Sequence, residues 1–454
     1  MLNIDDRTYS NHDIEQYHRQ FDVMDLPRLS PKSSIAVCLQ STVSWLALCL
    51  YFKAKNISVM PIHPDTPLSA ARRLANRAGC SHLYFQTLNT PIEIQNQPSL
   101  QSSDKTTIGL IQMSSGTTGE PKCITRSWQS IDQEIHSYIS HFAQANTMTP
   151  VIACPTTHSY GLISGVLVAL ARGQSPIVIT NINPKYLLKR LLACEQPLLY
   201  ASPSLLQGLM RLWPKHSQLH AAMTSGTIMP QALYEQIRPT IKHLFQQYGC
   251  SEAGCISINQ DMQCTSDIGT PLPHLSVACS KDSEHPQEIV VTIPKIKLND
   301  EPETTVFTQD LGYLQENRPD NDTLHFIARQ DDTIIVAGLN VYPQQIEDIL
   351  LCHPDIDDAV IFKIEDAFAG HRVCLHYVSH PSVSSDELRQ WCQSHMASYQ
   401  IPQQLLAVQA IERLPNGKVN RRKLAQQQTQ KAMPVQKPLQ DKTINKEQAL
   451  RPVS

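Results

Sequence analysis

The sequence predicts an α/β protein: a large N-terminal domain of two αβ subdomains with parallel sheets plus a small β-barrel-like subdomain, followed by a small α+β C-terminal domain. Three observations carry this. From Ser34 to about residue 250, short apolar runs alternate with helix-length amphipathic segments, the rhythm of βαβ units. After about Thr265 the helix-length segments give way to short strands and turns. From Asp331 a compact stretch mixes strands with two helical segments.

Taken in order, "SIAVCLQ" from Ser34 reads as a strand and "TVSWLALCLYFKAK" as an apolar helix. "ISVMPI" is the next strand. "DTPLSAARRLANRAG" is a helix with Asp65 or Thr66 as its N-cap and Gly79 as its terminating glycine. "HLYF" and "TIGLIQM" close the first run. The second run reads "PVIAC", "GLISGVLVALARG", "SPIVIT", "NPKYLLKRLLACEQ", "PLLYA" and "SPSLLQGLMRLW". The apolar segment from Gly161 is too short to span a bilayer and reads as a buried helix. "LSVAC", "QEIVVTI", "TTVFTQDLGYL" and "TLHFIAR" form the antiparallel unit, with Asp310 in a turn between strands. Helices near "YPQQIEDILL" and "SSDELRQWCQSHM" belong to the last domain, which ends at "RRKLAQQQ". The expected divisions are 1–329, 330–425, and a Gln- and Lys-rich tail, 426–454. The tail has no apolar periodicity and is expected to be disordered.

Composition narrows the function. Of 454 residues, 41% are hydrophobic and 17% charged, and the formal net charge is -3, which argues against a nucleic-acid binder. The 13 cysteines include no CxxC pair, so they read as the reduced thiols of a cytoplasmic protein rather than a disulfide framework or zinc site. The polar, acidic N-terminus is no signal peptide, and no membrane span is expected.

"MSSGTTGEPK", Met113 to Lys122, places hydroxyls and glycines after an apolar strand. Hydroxyls and free backbone N–H groups hold anions, and glycines let the backbone approach. It is not a Walker A loop: the lysine follows Gly119 by three residues, and Cys123 follows the lysine. Four further motifs follow in order: "QQYGCSEAG" from Gln246, "TQDLGYL" from Thr308, "ARQDDTIIVAGLNVYPQQIE" from Ala328 and "LPNGKVNRRKL" from Leu414.

At these five points the chain resembles the adenylate-forming superfamily of acyl- and aryl-CoA ligases, peptide-synthetase adenylation domains and luciferases. The resemblance runs from Arg7 to Leu424 and is nearest to stand-alone aryl-acid or acyl AMP-ligases. It implies ATP, Mg²⁺, and coenzyme A or phosphopantetheine as co-substrate. It assigns Ser114, Ser115, Gly116, Thr117, Thr118, Gly119 and Lys122 to the β- and γ-phosphates. Tyr248, with Gly249, packs on adenine; Ser251 stands near the α-phosphate; Glu252 holds the metal. Asp310 and Arg329 take the ribose, Asp331 is the hinge, Lys418 the catalytic lysine, and Gly338 lines the path of the thiol. The chain departs from the family pattern at Ser251 (usually threonine), at Gln309, Ala328 and Cys123 (usually glycine), and in a shorter loop before Lys418.

The resemblance also places "CPTTHSYGLIS" against the acyl substrate. Ser159 stands where amino-acid-activating members carry an aspartate, so the expected substrate is an amine-free carboxylic acid. His158, Ser159 and Tyr160 resemble the His-Asn-Tyr of aryl-acid activators, which bind ring hydroxyls. Ser164, Ser225, Gly226, Thr227 and Cys255 complete the expected pocket, with room for a flat ring or for an alkyl chain. The expected reaction is formation of an acyl-adenylate with release of pyrophosphate, then transfer to the thiol of coenzyme A or of a carrier protein. Two alternatives stand beside the aryl-acid reading: a fatty-acyl ligase, and a catalytically silent regulator that binds a nucleotide or acyl group.

Overall fold

The computed structural model describes residues 1–24, 34–94, 107–114, 122–294, 303–316, 322–336, 339–366, 370–414 and 417–432. Ser115, Gly116, Thr117, Thr118, Gly119, Gly338 and the tail beyond residue 432 lie outside the described residues, as does the side chain of Ser114.

The first sheet has the order Ile92–Glu93, His82–Gln86, Ser34–Leu39, Ser58–Pro61, Gly109–Ser114, Lys122–Ser127. Its four inner strands are parallel and both edge strands antiparallel. Helix Thr42–Ala54 buries Val43, Trp45, Leu46, Ala47, Leu48, Cys49, Tyr51 and Phe52. A helix apolar on nearly every side must be covered on nearly every side. One continuous core accordingly joins it to Ile35 of the first sheet and to Ile152, Leu198 and Met223 of the second.

The second sheet has Arg7–Tyr9 at one edge, antiparallel to Leu2–Ile4, and then a parallel run: Leu2–Ile4, Ile177–Val178, Thr149–Ile152, Pro197–Ala201, Leu219–Thr224, Ile241–Cys250. It continues without a break into antiparallel strands Gly254–Asn259, Asp267–Pro271, Thr323–Arg329, Thr304–Gln315, Gln287–Ile293 and Ser276–Ala278. The hairpin from Ile241–Cys250 to Gly254–Asn259 is where the sheet changes from parallel to antiparallel.

The chain beyond residue 333 has a core of its own, with Ile334, Val341, Ile346, Leu350, Ile361, Val373, Leu375 and Leu388 at its centre. Helices Pro343–Leu351, Ser385–His395 and Arg421–Ala432 accompany strands Ile334–Val336, Leu339–Val341, Ile356–Asp366, Gly370–Ser379 and Gln404–Ala407.

Three local expectations are corrected, and one, the buried helix at Gly161, holds with a finer geometry. The helix after Ser58–Pro61 is Leu68–Arg77, capped by Pro67 with no side-chain hydrogen bond, so neither Asp65 nor Thr66 caps it. Asp310 lies inside strand Thr304–Gln315, not in a turn; the irregularity there is a bulge, with Gln309 at φ 60°. The apolar segment at Gly161 is buried but is a π-helix, Tyr160–Leu167, before a short α-helix, Val168–Ala171. The last helix runs to Ala432, past the boundary expected at 425.

Candidate active site

Several expected site residues follow the carboxyl ends of parallel strands, where open α/β sheets leave a crevice. Gly109–Ser114 leads into the hydroxyl-rich loop, and Lys122 pairs with Ser114 as the chain returns. Thr149–Ile152 leads to His158, Ser159 and Tyr160; Leu219–Thr224 leads to Ser225, Gly226 and Thr227; Ile241–Cys250 leads to Ser251 and Glu252. Ser225 and Thr227 are half-buried, and Gly226 is open at φ 93°.

Tyr248 and Asp310 form the firmest unit. Tyr248 is 8% exposed and donates its hydroxyl to Asp310 Oδ2 at 2.6 Å. Asp310 Oδ1 is buried with no hydrogen-bond partner among the described residues; Arg329 Nε lies 3.4 Å from it as an ion pair. The strand register puts Arg329 opposite Asp310. Burial pushes the Asp310 carboxyl up, and the Arg329 charge pulls it back. A buried carboxylate oxygen without a donor is costly, and a vicinal diol would supply the missing donor. Gly249 packs against the neighbouring backbone: a Cβ there would lie 2.2 Å from the Gly254 carbonyl oxygen.

Lys418 reaches this unit from the other domain despite the short loop before it. The turn that carries it is closed by Gly417 N donating to Leu414 O and Leu414 N to Lys418 O, both at 2.8 Å. Burial and the neighbouring Arg329 lower the Lys418 ammonium, while Asp310 and Asp332 hold it up. Asp331 sits in the turn after strand Thr323–Arg329, 4.0 Å from Arg329, and its carbonyl accepts from Lys363 Nζ at 2.6 Å. Glu252 and Ser251 are half-buried in the hairpin turn. Cys250 beside them is pushed up to about 12 by burial and then by the Glu252 charge, so it stays a thiol. No cluster of three or more His, Cys, Asp or Glu groups that could hold a metal occurs among the described residues. A single carboxylate such as Glu252 would suit Mg²⁺ held mainly by phosphate oxygens.

His158 follows strand Thr149–Ile152 and lies within reach of the charges of His63 and Lys418. Burial, then His63 and Lys418, push its imidazolium down, so the ring is neutral near pH 7 and can exchange hydrogen bonds with a hydroxyl. Ser159 hydrogen-bonds Gln112, a buried side chain on strand Gly109–Ser114. Tyr160 donates its hydroxyl to Met223 O at 2.6 Å, so it fixes the wall and offers a ligand only its lone pairs. Ser164 and Cys255 are buried behind that wall; Ser164 accepts from Gln247, and Cys255 N donates to Glu134. Gln112, His63, Arg126 and Glu134 were not among the expected site residues. A polar Gln inside an apolar strand, and an acid on a helix face that is otherwise apolar, were their only signals.

The family model of AMP-binding enzymes matches residues 84–291, and that of the AMP-binding enzyme C-terminal domain matches 345–418. The chain is 37% identical over 427 residues to 3,4-dihydroxybenzoate–[aryl-carrier protein] ligase of Bacillus anthracis, covering 93% of this chain and 98% of that protein. Its fold matches ATP-bound MatB from Rhodopseudomonas palustris with a TM-score of 0.77 at 15% identity, covering 94% of this chain and 95% of that one. It matches o-succinylbenzoate coenzyme A synthetase from Bacillus subtilis, in complex with ATP and magnesium ion, with a TM-score of 0.75 at 19% identity, covering 93% and 96%. With both family models matched in order and the cleft arranged between them, this chain belongs to the AMP-binding, adenylate-forming enzymes and is an AMP-forming acid–thiol ligase.

Proposed function

We propose that the protein activates a hydroxy-aryl acid, with 3,4-dihydroxybenzoate the first candidate, and passes it to the phosphopantetheine thiol of a carrier protein. The observation that carries this is the acyl wall. Ser159 presents a hydroxyl oriented by Gln112 and a neutral His158 adjoins it, so the wall suits ring hydroxyls and supplies no carboxylate at 159 for an ammonium group. The relative at 37% identity, a 3,4-dihydroxybenzoate–[aryl-carrier protein] ligase, supports the same assignment.

In the first half-reaction a carboxylate oxygen of the acid attacks the α-phosphorus of ATP, and the bond to the β-phosphate breaks. Asp310 and Arg329 hold the ribose, Tyr248 packs on the base, and Lys122 with the loop before it takes the leaving pyrophosphate. The Lys418 ammonium neutralises the entering carboxylate and the α-phosphate oxygens. Mg²⁺, when bound at Glu252, adds charge neutralisation on the phosphates. In the second half-reaction the thiol sulfur attacks the acyl carbon, the thiol proton is lost, and AMP leaves with the mixed-anhydride oxygen.

The test is ATP–pyrophosphate exchange with dihydroxybenzoates, unsubstituted benzoate, alkyl acids and amino acids, followed by transfer to a carrier protein or to coenzyme A. Exchange is expected with hydroxybenzoates, and transfer with the carrier. Exchange only with alkyl acids, or only with amino acids, would overturn the substrate class. Transfer only to coenzyme A would overturn the acceptor.

A further inference from the structure

Behind the Glu252 hairpin lies an ion pair that the chemistry above does not use. Arg126 Nη2 and Glu134 Oε2 are 2.6 Å apart, with side chains 4% and 2% exposed. Arg126 is on strand Lys122–Ser127, by which the chain leaves the hydroxyl-rich loop, and Glu134 is on helix Trp128–His141. The other carboxylate oxygen, Glu134 Oε1, accepts from Cys255 N at 2.8 Å. Gly254 lies against the same pair: at φ 76° a Cβ there would come within 2.3 Å of both Arg126 Nη1 and Glu134 Oε2. Glu134 therefore touches the two residues that follow the turn Ser251–Ala253.

Stability is a poor reason for this pair. Apart from the Glu134 contact, the guanidinium nitrogens are buried without a hydrogen bond among the described residues. Burial and then the Arg126 charge push the nearby His274 down to about 4, so no second cation forms there. Buried ion pairs commonly cost as much desolvation as they return in attraction, and apolar replacements of like volume are often neutral or better. What the pair does offer is geometry. It ties the strand leaving the phosphate loop, in one sheet, to the hairpin carrying Glu252, in the other. These two pieces must close on the same phosphates.

We infer that Glu134, held by Arg126, is a positioning residue that sets the Glu252 turn against strand Lys122–Ser127. This rests on Glu252 being the metal-binding carboxylate. Glu134 touches no reacting atom; it fixes where the metal carboxylate stands.

The experiment measures ATP–pyrophosphate exchange against Mg²⁺ concentration in the full-length protein, with transfer from a supplied acyl-adenylate as the second readout. Glu134→Ala removes the acceptor of Cys255 N and should raise the Mg²⁺ concentration for half-maximal exchange by about tenfold, the equivalent of one hydrogen bond. Glu134→Gln keeps an oxygen acceptor and should recover part of that shift. Acyl transfer should change less than twofold in both, since it uses no metal–phosphate contact. Gly254→Ala, which presses a methyl group on the pair, should reproduce the Mg²⁺ shift and serves if Glu134→Ala does not fold. Glu252→Gln is the control. If it shifts the Mg²⁺ dependence while folded Glu134→Ala and Gly254→Ala do not, the inference is wrong and the reading of Glu252 stands. An equal loss in both half-reactions for the Glu134 variants also overturns it, as a merely structural role. An unchanged Mg²⁺ dependence in Glu252→Gln removes the reading of Glu252 and this inference with it.

Discussion

Asp310 is the residue whose loss should be most specific in its effect. Its Oδ2 already takes the Tyr248 hydroxyl at 2.6 Å, and among the described residues its buried Oδ1 has the Arg329 ion pair at 3.4 Å but no hydrogen-bond donor. If a ribose hydroxyl completes Oδ1, the bond is charge-assisted, worth about 1.5–3 kcal/mol, or roughly 10- to 100-fold in the KM for ATP. Asp310→Asn should therefore raise that KM by about this factor, with kcat changed less. The discriminating measurement pairs the variant with 2′,3′-dideoxy-ATP. Wild type should prefer ATP over the dideoxynucleotide by about 10- to 100-fold, and Asp310→Asn by only about threefold, because the two deletions remove one interaction. Tyr248→Phe should raise the KM by about tenfold while keeping much of the discrimination, since it unpairs only Oδ2. Full discrimination in Asp310→Asn would refute the ribose role and leave Asp310 as a partner of Tyr248 and Arg329 alone.

Three further outcomes are expected. Lys418→Ala should slow adenylation by about 10²–10³ while still transferring a supplied acyl-adenylate to thiol; equal loss of both steps would count against a lysine that serves adenylation only. Gln309→Gly should stabilise the protein by about 0.5–1 kcal/mol in denaturant unfolding, because the left-handed conformation at φ 60° strains a residue with a Cβ and the N–H bond to Glu288 is kept. Burial raises Asp348 from 3.8 to about 6, so its contribution to stability is full below pH 4 and is lost as pH rises through 6; Asp348→Asn should raise the melting temperature at pH 8 and not at pH 4.

The parallel architecture was legible because apolar runs of strand length alternate with helix-length segments, and the structure places strands at Ser34–Leu39, Ser58–Pro61 and Pro197–Ala201 as that rhythm requires. Tyr248, Asp310 and Lys418 were legible as a set because the family resemblance links motifs far apart in sequence; their meeting is visible in the Tyr248–Asp310 bond and in the charges that Lys418 feels. Conformation inside a motif was less legible. "TQDLG" has the composition of a turn, yet strand pairing on both sides absorbs it as a bulge. The apolar run at Gly161 gives the same burial signal for an α- or a π-helix, since hydrophobicity does not record which carbonyl each N–H reaches. Glu134 was invisible as a site residue because Cys255, to which it bonds, is 121 positions away and no short motif contains both.

The contacts that seat the C-terminal domain also bear on how it can leave. Asp348, on helix Pro343–Leu351, accepts from Gln231 N at 3.3 Å and from Gln344 Nε2 at 3.2 Å, and so reaches the N-terminal domain through a single long bond. Gly417 lies against Ser204, near enough for a Cβ to touch its hydroxyl at 3.5 Å. Lys418 completes the seat by entering a pocket that lowers its own ammonium. A neutral–neutral hydrogen bond contributes about 1 kcal/mol, and above pH 6 Asp348 carries a charge whose partial burial opposes that gain. The seat is therefore strongest when an anionic nucleotide and a carboxylate stand beside Lys418 to hold its charge. Once pyrophosphate has gone and the acid carboxylate has become a neutral anhydride, much of that attraction is lost. If the proposed reaction holds, the first step itself weakens the seat of the domain that carries Lys418, and Asp348→Asn, which removes the opposing charge, should then slow thiol transfer from a supplied acyl-adenylate at pH 8 more than it slows adenylation.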